Sequence, residues 1–457
     1  MSEHGLKAAQ DKMRAAGVSE AAIEVFSHYY HELESGAGGL ILESLIEPLS
    51  DVATVDGIEV SEADAHEAFA KTVFIKLNGG LGTSMGLDRA KNLLPVRDGL
   101  NFLDIIVKQT LSARERYDVA LPLLFMNSFR TREDTLEVLA KYPDLAVEGL
   151  PVDFLQNQEP KLLADSLEPA EWPADPTLEW CPPGHGDLYT ALEGSGVLDQ
   201  LLAAGFRYAT VSNGDNLGAT PDPQIAGWFA QTGAPFAAEL CVRTVNDKKG
   251  GHVAVRKEDG QLVLRETAQT SPDEMQYFTD EHRHRYFNTN NLWLDLQAVR
   301  DTLTAKHSVL GLPMIRNTKT VDPADASSPS VVQIETAMGA AIEVFPGATA
   351  ICVGRDRFVP VKTTNELLLL RSDLYELDDL GHLVAQTEKA PEVILGKPFK
   401  LVQDFERRIP EPPSLREAEL LTVDGDVTFG RGVVVKGRVQ IDADEPTTIA
   451  DMTVLEG

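Results

Sequence analysis

Val73-Phe74-Ile75-Lys76-Leu77-Asn78-Gly79-Gly80-Leu81-Gly82-Thr83-Ser84-Met85-Gly86, followed by Lys91, is the stretch from which the fold is read. An apolar run that ends in four glycines within eight positions predicts a buried strand turning into a loop free to take φ > 0. Successive N–H groups of such a loop can converge on an anion, so the stretch predicts a cradle for nucleotide phosphates. It is not a Walker A loop, because Gly82 is followed by Thr83-Ser84 and the nearest downstream lysine is Lys91. Nor is it the dinucleotide fingerprint, for which Gly80, Gly82 and Gly86 have the wrong spacing. From the glycines alone, a tight structural turn accounts for the run equally well.

Working outward, the alternation recurs. Short apolar runs at Leu121-Pro122-Leu123-Leu124-Phe125-Met126 and Tyr208-Ala209-Thr210-Val211-Ser212 predict two more buried strands, with helix-like composition at Leu103 to Leu111 and Thr131 to Leu139. This β-α-β order predicts an α/β unit over 71–375 with a mostly parallel sheet and ligands at the carboxyl ends of its strands, where the glycine loop falls. Residues 1–70 read as an N-terminal helical segment, with Ile23, Phe26, Tyr30 and Leu33 at helical spacing and Gly36-Ala37-Gly38-Gly39 as a break. Residues 376–413 read as an irregular connection ending in Ile409-Pro410-Glu411-Pro412-Pro413. Over 414–457 a six-residue period links Leu415, Leu421, Val427, Val433 and Val439, the trace of a hexapeptide β-helix, with a pair of hairpins as the other reading. A β-helix can stack, which makes this tail the expected place for self-association.

Lys+Arg 41 against Asp+Glu 71 gives a net charge of −30, whose field repels nucleic acid and anionic membrane surfaces. A polyanionic ligand then requires local positive charge, for which Lys76, Arg89, Lys91 and Arg97 cluster around the glycine loop and Mg2+ is an expected addition. Cys181, Cys241 and Cys352 form no CxxC pair, so neither a disulfide framework nor a zinc site is predicted. Met1 to Gly17 mixes charges of both signs without a long apolar run and reads as neither signal peptide nor anchor, so the expected location is the reduced cytoplasm.

Five further segments carry chemistry. Trp180-Cys181-Pro182-Pro183-Gly184-His185-Gly186-Asp187 fixes an imidazole among backbone amides. Val211-Ser212-Asn213-Gly214-Asp215-Asn216-Leu217-Gly218 places a carboxylate after a buried strand, where it can hold Mg2+ on phosphate oxygens or close an Asx turn. Phe287-Asn288-Thr289-Asn290-Asn291-Leu292-Trp293 offers amides that both donate and accept, which suits sugar hydroxyls, and serves equally as a polar turn. In Pro360-Val361-Lys362-Thr363-Thr364 a lysine precedes a helix start capped by Thr363 or Thr364, a place that favours phosphate. Gln156, after Phe154-Leu155, offers a carboxamide to a base edge.

With these motifs in order, the chain from about Leu77 onward resembles the eukaryotic-type UDP-glucose pyrophosphorylases, the UTP:glucose-1-phosphate uridylyltransferases. The resemblance also rests on Phe125-Met126-Asn127-Ser128-Phe129, on Lys249 to Gly251, on Glu335 to Ile342 and on Arg357 to Thr364. It implies an α/β nucleotidyltransferase fold, Rossmann-like with a mostly parallel mixed sheet, an N-terminal helical segment and a C-terminal left-handed β-helix. By the resemblance Leu77, Asn78, Gly79 and Gly80 line the nucleotide, with Gln156 and Gly184 on uracil and Lys91 on the triphosphate. It puts His185, Asn213, Gly214, Asn288, Thr289, Asn290 and Asn291 around the sugar phosphate, Asp215 on Mg2+ and Lys362 on the phosphates. The implied reaction is in-line attack of glucose-1-phosphate on the α-phosphorus of UTP, releasing pyrophosphate. A UDP-sugar or UDP-N-acetylhexosamine pyrophosphorylase of broader specificity is the alternative; a UDP-sugar glycosyltransferase would need a DxD that Asp215-Asn216-Leu217 does not supply. Three departures from the family pattern stand out. Arg89-Ala90-Lys91 replaces Gly-Pro-Lys and predicts a looser loop, Gly214 replaces an apolar residue, and the sequence runs only a short way past Val439, which speaks against the family's higher oligomers.

Overall fold

The computed structural model describes residues 2–36, 39–244, 247 and 250–457; Ala37-Gly38 of the glycine break and Lys249 lie outside the described residues. Helices α1 (Ser2–Ala15) and α2 (Glu20–Ser35) open the chain. Ser19 caps α2 through its hydroxyl, Gly36 closes it at φ 66°, and Ile23, Phe26, Tyr30 and Leu33 are buried against Leu162, Val332 and Ile334. The rest of the first 70 residues is not helical throughout. Ile46–Pro48 and Ala53–Thr54 are short edge strands of the central sheet, too short to show a period of their own.

The three apolar runs are strands as predicted. β1 (Thr72–Asn78) is buried along its whole length, and α3 (Phe102–Tyr117), capped reciprocally by Asn101 and Asp104, leads into β2 (Leu123–Asn127) and then β3 (Asp153–Leu155). β4 (Tyr208–Asn213), β5 (Phe236–Val242), β6 (Tyr286–Asp295) and β7 (Thr349–Cys352) complete the main path of an 11-stranded sheet. The path runs Ala53–Thr54, β7, β5, β6, β4, β1, β2, β3, and every neighbour along it is parallel except β6, which is antiparallel to β4 and β5. Alternate side chains of β1 enter different cores: Phe74 packs with Leu103 and Phe125, whereas Val73 and Ile75 pack with Leu124 and Leu188. Both faces are thus covered, as a mostly parallel sheet requires.

Beyond β7, helix α4 (Thr364–Arg371) is capped by Thr363, whose hydroxyl accepts from Asn365 N–H while Glu366 reaches back to the Thr363 N–H. The segment expected to be irregular contains β8 (Glu392–Leu395) and a helical turn at Val402–Arg408, and buries Val393, Phe399, Val402 and Phe405 in the same core as Phe74. β8 leads a four-stranded parallel sheet with β9 (Ser414–Phe429), β10 (Val434–Ile449) and β11 (Val454–Glu456). The six-spaced Leu415, Leu421, Val427, Val433 and Val439 are all buried, with Leu421 opposite Val439.

Candidate active site

β1 and β4 lie side by side with Leu77 opposite Asn213, so the glycine loop and the Asp215 turn leave the sheet together at its carboxyl edge. Gly214 N–H donates to the Leu77 carbonyl at 2.9 Å. A Cβ on Gly214 would stand 2.0 Å from Asn92 Nδ2 and 2.7 Å from that carbonyl, which is why this position holds a glycine where an apolar side chain was expected. Gly82 and Gly86 take φ of 67° and 76°, and the loop closes where Lys91 N–H meets the Gly80 carbonyl at 3.1 Å. The expected looseness at Arg89-Ala90-Lys91 is offset by Asp134, which takes both Arg89 Nη2 (2.7 Å) and Ala90 N–H (3.3 Å).

Of the four cations expected around the loop, two reach the Asp215 turn among the described residues, and of these only Lys91 meets the Asp215 carboxylate. Its Nζ meets Asp215 Oδ2 at 2.6 Å and the Val361 carbonyl. Lys76 is fully buried and donates to the carbonyls of Asn216 (3.0 Å) and Ala219 (3.1 Å); burial, with Arg357 nearby, pushes its pKa down to about 7. Arg89 is held by Asp134, and Arg97 bonds the carbonyls of Leu370 and Ser372 at the end of α4. Lys362 is exposed and, among the described residues, has no hydrogen bond or ion pair, yet its charge reaches both His185 and Glu266.

Gln156 is buried at the end of β3, its Nε2 donating to the Gly184 carbonyl at 2.6 Å and its Oε1 only 2.6 Å from where a Cβ on Gly79 would be. Gly80 has open space around it. The Asn78 side chain turns inward, donating to Asn127 Oδ1 (2.8 Å) and Thr135 Oγ1 (2.6 Å) and accepting from Asn92 (2.8 Å), so only its backbone faces the loop. Gly184, at φ 78°, packs against the Thr336 backbone. His185 Nδ1 accepts from Met338 N–H at 2.9 Å, and burial together with Lys362 pushes its pKa down to about 4. The ring is therefore neutral near pH 7, with its proton on Nε2.

The amide run divides in two. Asn290 takes φ 58°, and the register with β5 slips between Glu239, opposite Asn291, and Leu240, opposite Asn288. Asn288 and Asn290 pair with each other at 2.9 Å beside Gly339. Thr289 and Asn291 turn into the sheet instead, onto the Glu239 carbonyl (2.7 Å) and carboxylate (3.1 Å). Glu239 in turn takes the Arg357 guanidinium in two bonds of 2.9 and 2.8 Å; burial opposes its ionisation, but Arg357 holds its pKa low. Glu266 escaped the sequence: its carboxylate oxygens stand 2.5 Å from where a Cβ on Gly251 would fall, and burial raises its pKa against the pull of Lys362. No motif marks it, because its place follows from the packing of the Gly251 turn. Among the described residues no group of three His, Cys, Asp or Glu side chains is placed to cage a metal. The lone Asp215 carboxylate does suit Mg2+, which takes one or two carboxylates and fills the rest of its shell with phosphate oxygens and water.

A family profile described as UTP–glucose-1-phosphate uridylyltransferase matches residues 23–436. A probable UTP–glucose-1-phosphate uridylyltransferase of Schizosaccharomyces pombe is 38% identical over 432 residues, covering 93% of this chain and 83% of its own. The UTP–glucose-1-phosphate uridylyltransferase of Saccharomyces cerevisiae is 42% identical, covering 81% and 74%. In three dimensions the chain superimposes on the UDP-glucose pyrophosphorylase of Leishmania major with a TM-score of 0.92 at 42% identity, covering 99% of this chain and 98% of that one.

Proposed function

Since the chain belongs to the UTP–glucose-1-phosphate uridylyltransferase family and is a nucleotidyltransferase that forms UDP-glucose and pyrophosphate from UTP and glucose-1-phosphate, we propose that Lys91, Asp215 and Lys362 carry the transfer. The observation that supports this is their convergence: Lys91 meets Asp215 at the sheet edge and the Val361 carbonyl beside Lys362, which has no hydrogen bond or ion pair among the described residues. Uracil lies against Gly79 and Gly80, read by the Gln156 carboxamide and the Gly184 backbone. Lys91 leaves Asp215 for the triphosphate. His185 Nε2–H and the amides of Asn213, Asn288 and Asn290 hold the sugar phosphate, while Thr289 and Asn291 fix the strand beneath them. The attacking phosphate oxygen is already an anion, so no general base is needed, and the two lysines neutralise charge as the α-phosphorus changes partners in line. Asp215 would hold Mg2+, which would supply further neutralisation of phosphate charge.

Replacing Lys91 or Lys362 by alanine is expected to lower kcat by at least about 10²-fold with an unchanged melting temperature. Pyrophosphate release from a panel of nucleoside triphosphates and sugar-1-phosphates measures both this and selectivity. Near-parental rates in both variants would sink the assignment, and equal use of N-acetylhexosamine-1-phosphate would make the broader reading the correct one. The tail is read as a β-helix because β9 and β10, though parallel, are linked only by residues 430–433, and its left hand is what the family resemblance implies. A parallel neighbour reached so quickly requires the chain to wind back within the strands' own length, at the register shifts along β9. Its terminal strand β11, beside exposed Met452 and Val454, is the proposed face for self-association. No helix among the described residues is long and apolar enough to cross a membrane, and three free cysteines accord with a cytoplasmic location.

A further inference from the structure

The geometry points to Asn216, the residue after Asp215, as the positioning residue that sets the distance between Asp215 and Lys362; the inference rests on the roles just proposed for those two. Asn216 is 2% exposed, so it does not touch substrate. Its side chain is fully committed. Nδ2 donates to Asn291 Oδ1 (3.1 Å) and the Arg357 carbonyl (3.0 Å), while Oδ1 accepts from Gly218 N–H (3.2 Å) and Val359 N–H (2.9 Å). Four bonds are all that a primary amide can make. Its backbone carbonyl takes the buried Lys76 ammonium, and an antiparallel bridge joins it to Pro360, two residues before Lys362.

These bonds tie together four pieces of chain that each carry part of the site. Lys76 lies on β1 just before the nucleotide loop, Gly218 lies in the Asp215 turn, Asn291 lies on the sugar strand β6, and Arg357 to Pro360 is the arm that ends in Lys362. Both acceptors of Nδ2 are themselves fixed, because Glu239 bonds the Asn291 amide (3.1 Å) and the Arg357 guanidinium (2.9 and 2.8 Å). Near Lys362 the arm's other ties to the Asp215 turn, among the described residues, are the backbone bridge to Pro360 and Lys91 Nζ, which meets both Asp215 Oδ2 and the Val361 carbonyl and which the proposed reaction withdraws when Lys91 turns to the triphosphate. With the amide removed, the arm keeps its fold but loses its stop, and Lys362 no longer meets the phosphates at a fixed distance from Asp215. In a reaction run by placement of charge, a shift of about 1 Å costs on the order of 10²-fold.

The test is a double-mutant cycle of Asn216→Ala and Lys362→Ala, read as kcat, KM for UTP and melting temperature. Asn216→Ala is expected to lower kcat by about 10- to 100-fold with KM for UTP within about threefold, and to cost less than about threefold more once Lys362 is already alanine. Asn216→Asp, which has the same shape but cannot donate to the two fixed oxygens, is expected to behave like the alanine variant. If Asn216→Ala fails to fold, Asn216→Ser carries the cycle. A kcat within threefold of the parent, or an equal loss in both backgrounds, would overturn the inference while leaving the site reading intact. A Lys362→Ala enzyme as fast as the parent would overturn both.

Discussion

His185 shows how a single side chain's surroundings decide its chemistry. With Nδ1 occupied by Met338 N–H and its pKa pushed down to about 4 by burial and Lys362, the ring serves as a neutral donor. The unfolded chain titrates near the ordinary value of about 6.5, so it gains a proton before the folded enzyme does. The stability that depends on neutral His185 is complete above pH 6.5 and is lost as pH falls toward 4. Melting temperatures of the parent should accordingly decline more steeply between pH 6.5 and 4.5 than those of His185→Gln, and parallel slopes would exclude the assignment. Residue identity alone was a poor guide to such surroundings. Lys76, Arg89 and Arg97 look like Lys91 in sequence, and only their burial or their partners separate them from the phosphate site. Asn78 likewise sits in the nucleotide motif but spends its amide on Asn127 and Thr135.

Helix α4 carries Lys362 at its entrance, and its first turn is held by Thr363 and Glu366. Thr363→Ala is expected to cost about 1 kcal/mol in urea unfolding, with Thr363→Ser restoring most of it. An unchanged midpoint would mean that the cap does not hold the turn. At this scale much was legible: β1, β2 and β4 announce themselves as apolar runs, because a fully buried strand leaves a pattern, and the six-spaced apolar residues of the tail mark side chains buried in its parallel sheet. The break in β6 left none. A left-handed Asn290 and a register slip against β5 are decided by the neighbouring strand, and the sequence shows only a run of amides. The short pieces between 376 and 413 also lack a period, since each buries only one or two side chains against a core built elsewhere.

Over the whole molecule the net charge of −30 opposes the approach of a second copy. The proposed face at β11 has exposed Met452 and Val454, and β10, the strand that β11 pairs with, carries the exposed Asp442, Asp444 and Glu445 further along, so association through this end is opposed by like charge until salt screens it. Since the screening length falls from about 30 Å at 0.01 M to about 10 Å at 0.1 M, sedimentation should show larger species at high ionic strength than at low. A monomer at every salt concentration would dispose of the proposed face. The segment that connects to the tail also bears on the site from a distance, through α4. Thr364 Oγ1 donates to the Phe399 carbonyl at 2.8 Å, and Asn365 Oδ1 accepts from Leu395 N–H at 3.1 Å. The helix that begins beside Lys362 therefore takes its bearings from chain that contributes no group to the reaction. Limited proteolysis near residue 390 would for that reason register as an enzyme slowed at its phosphates, although every reacting group remained in the fragment, and a nick there would be mistaken for damage to the active site.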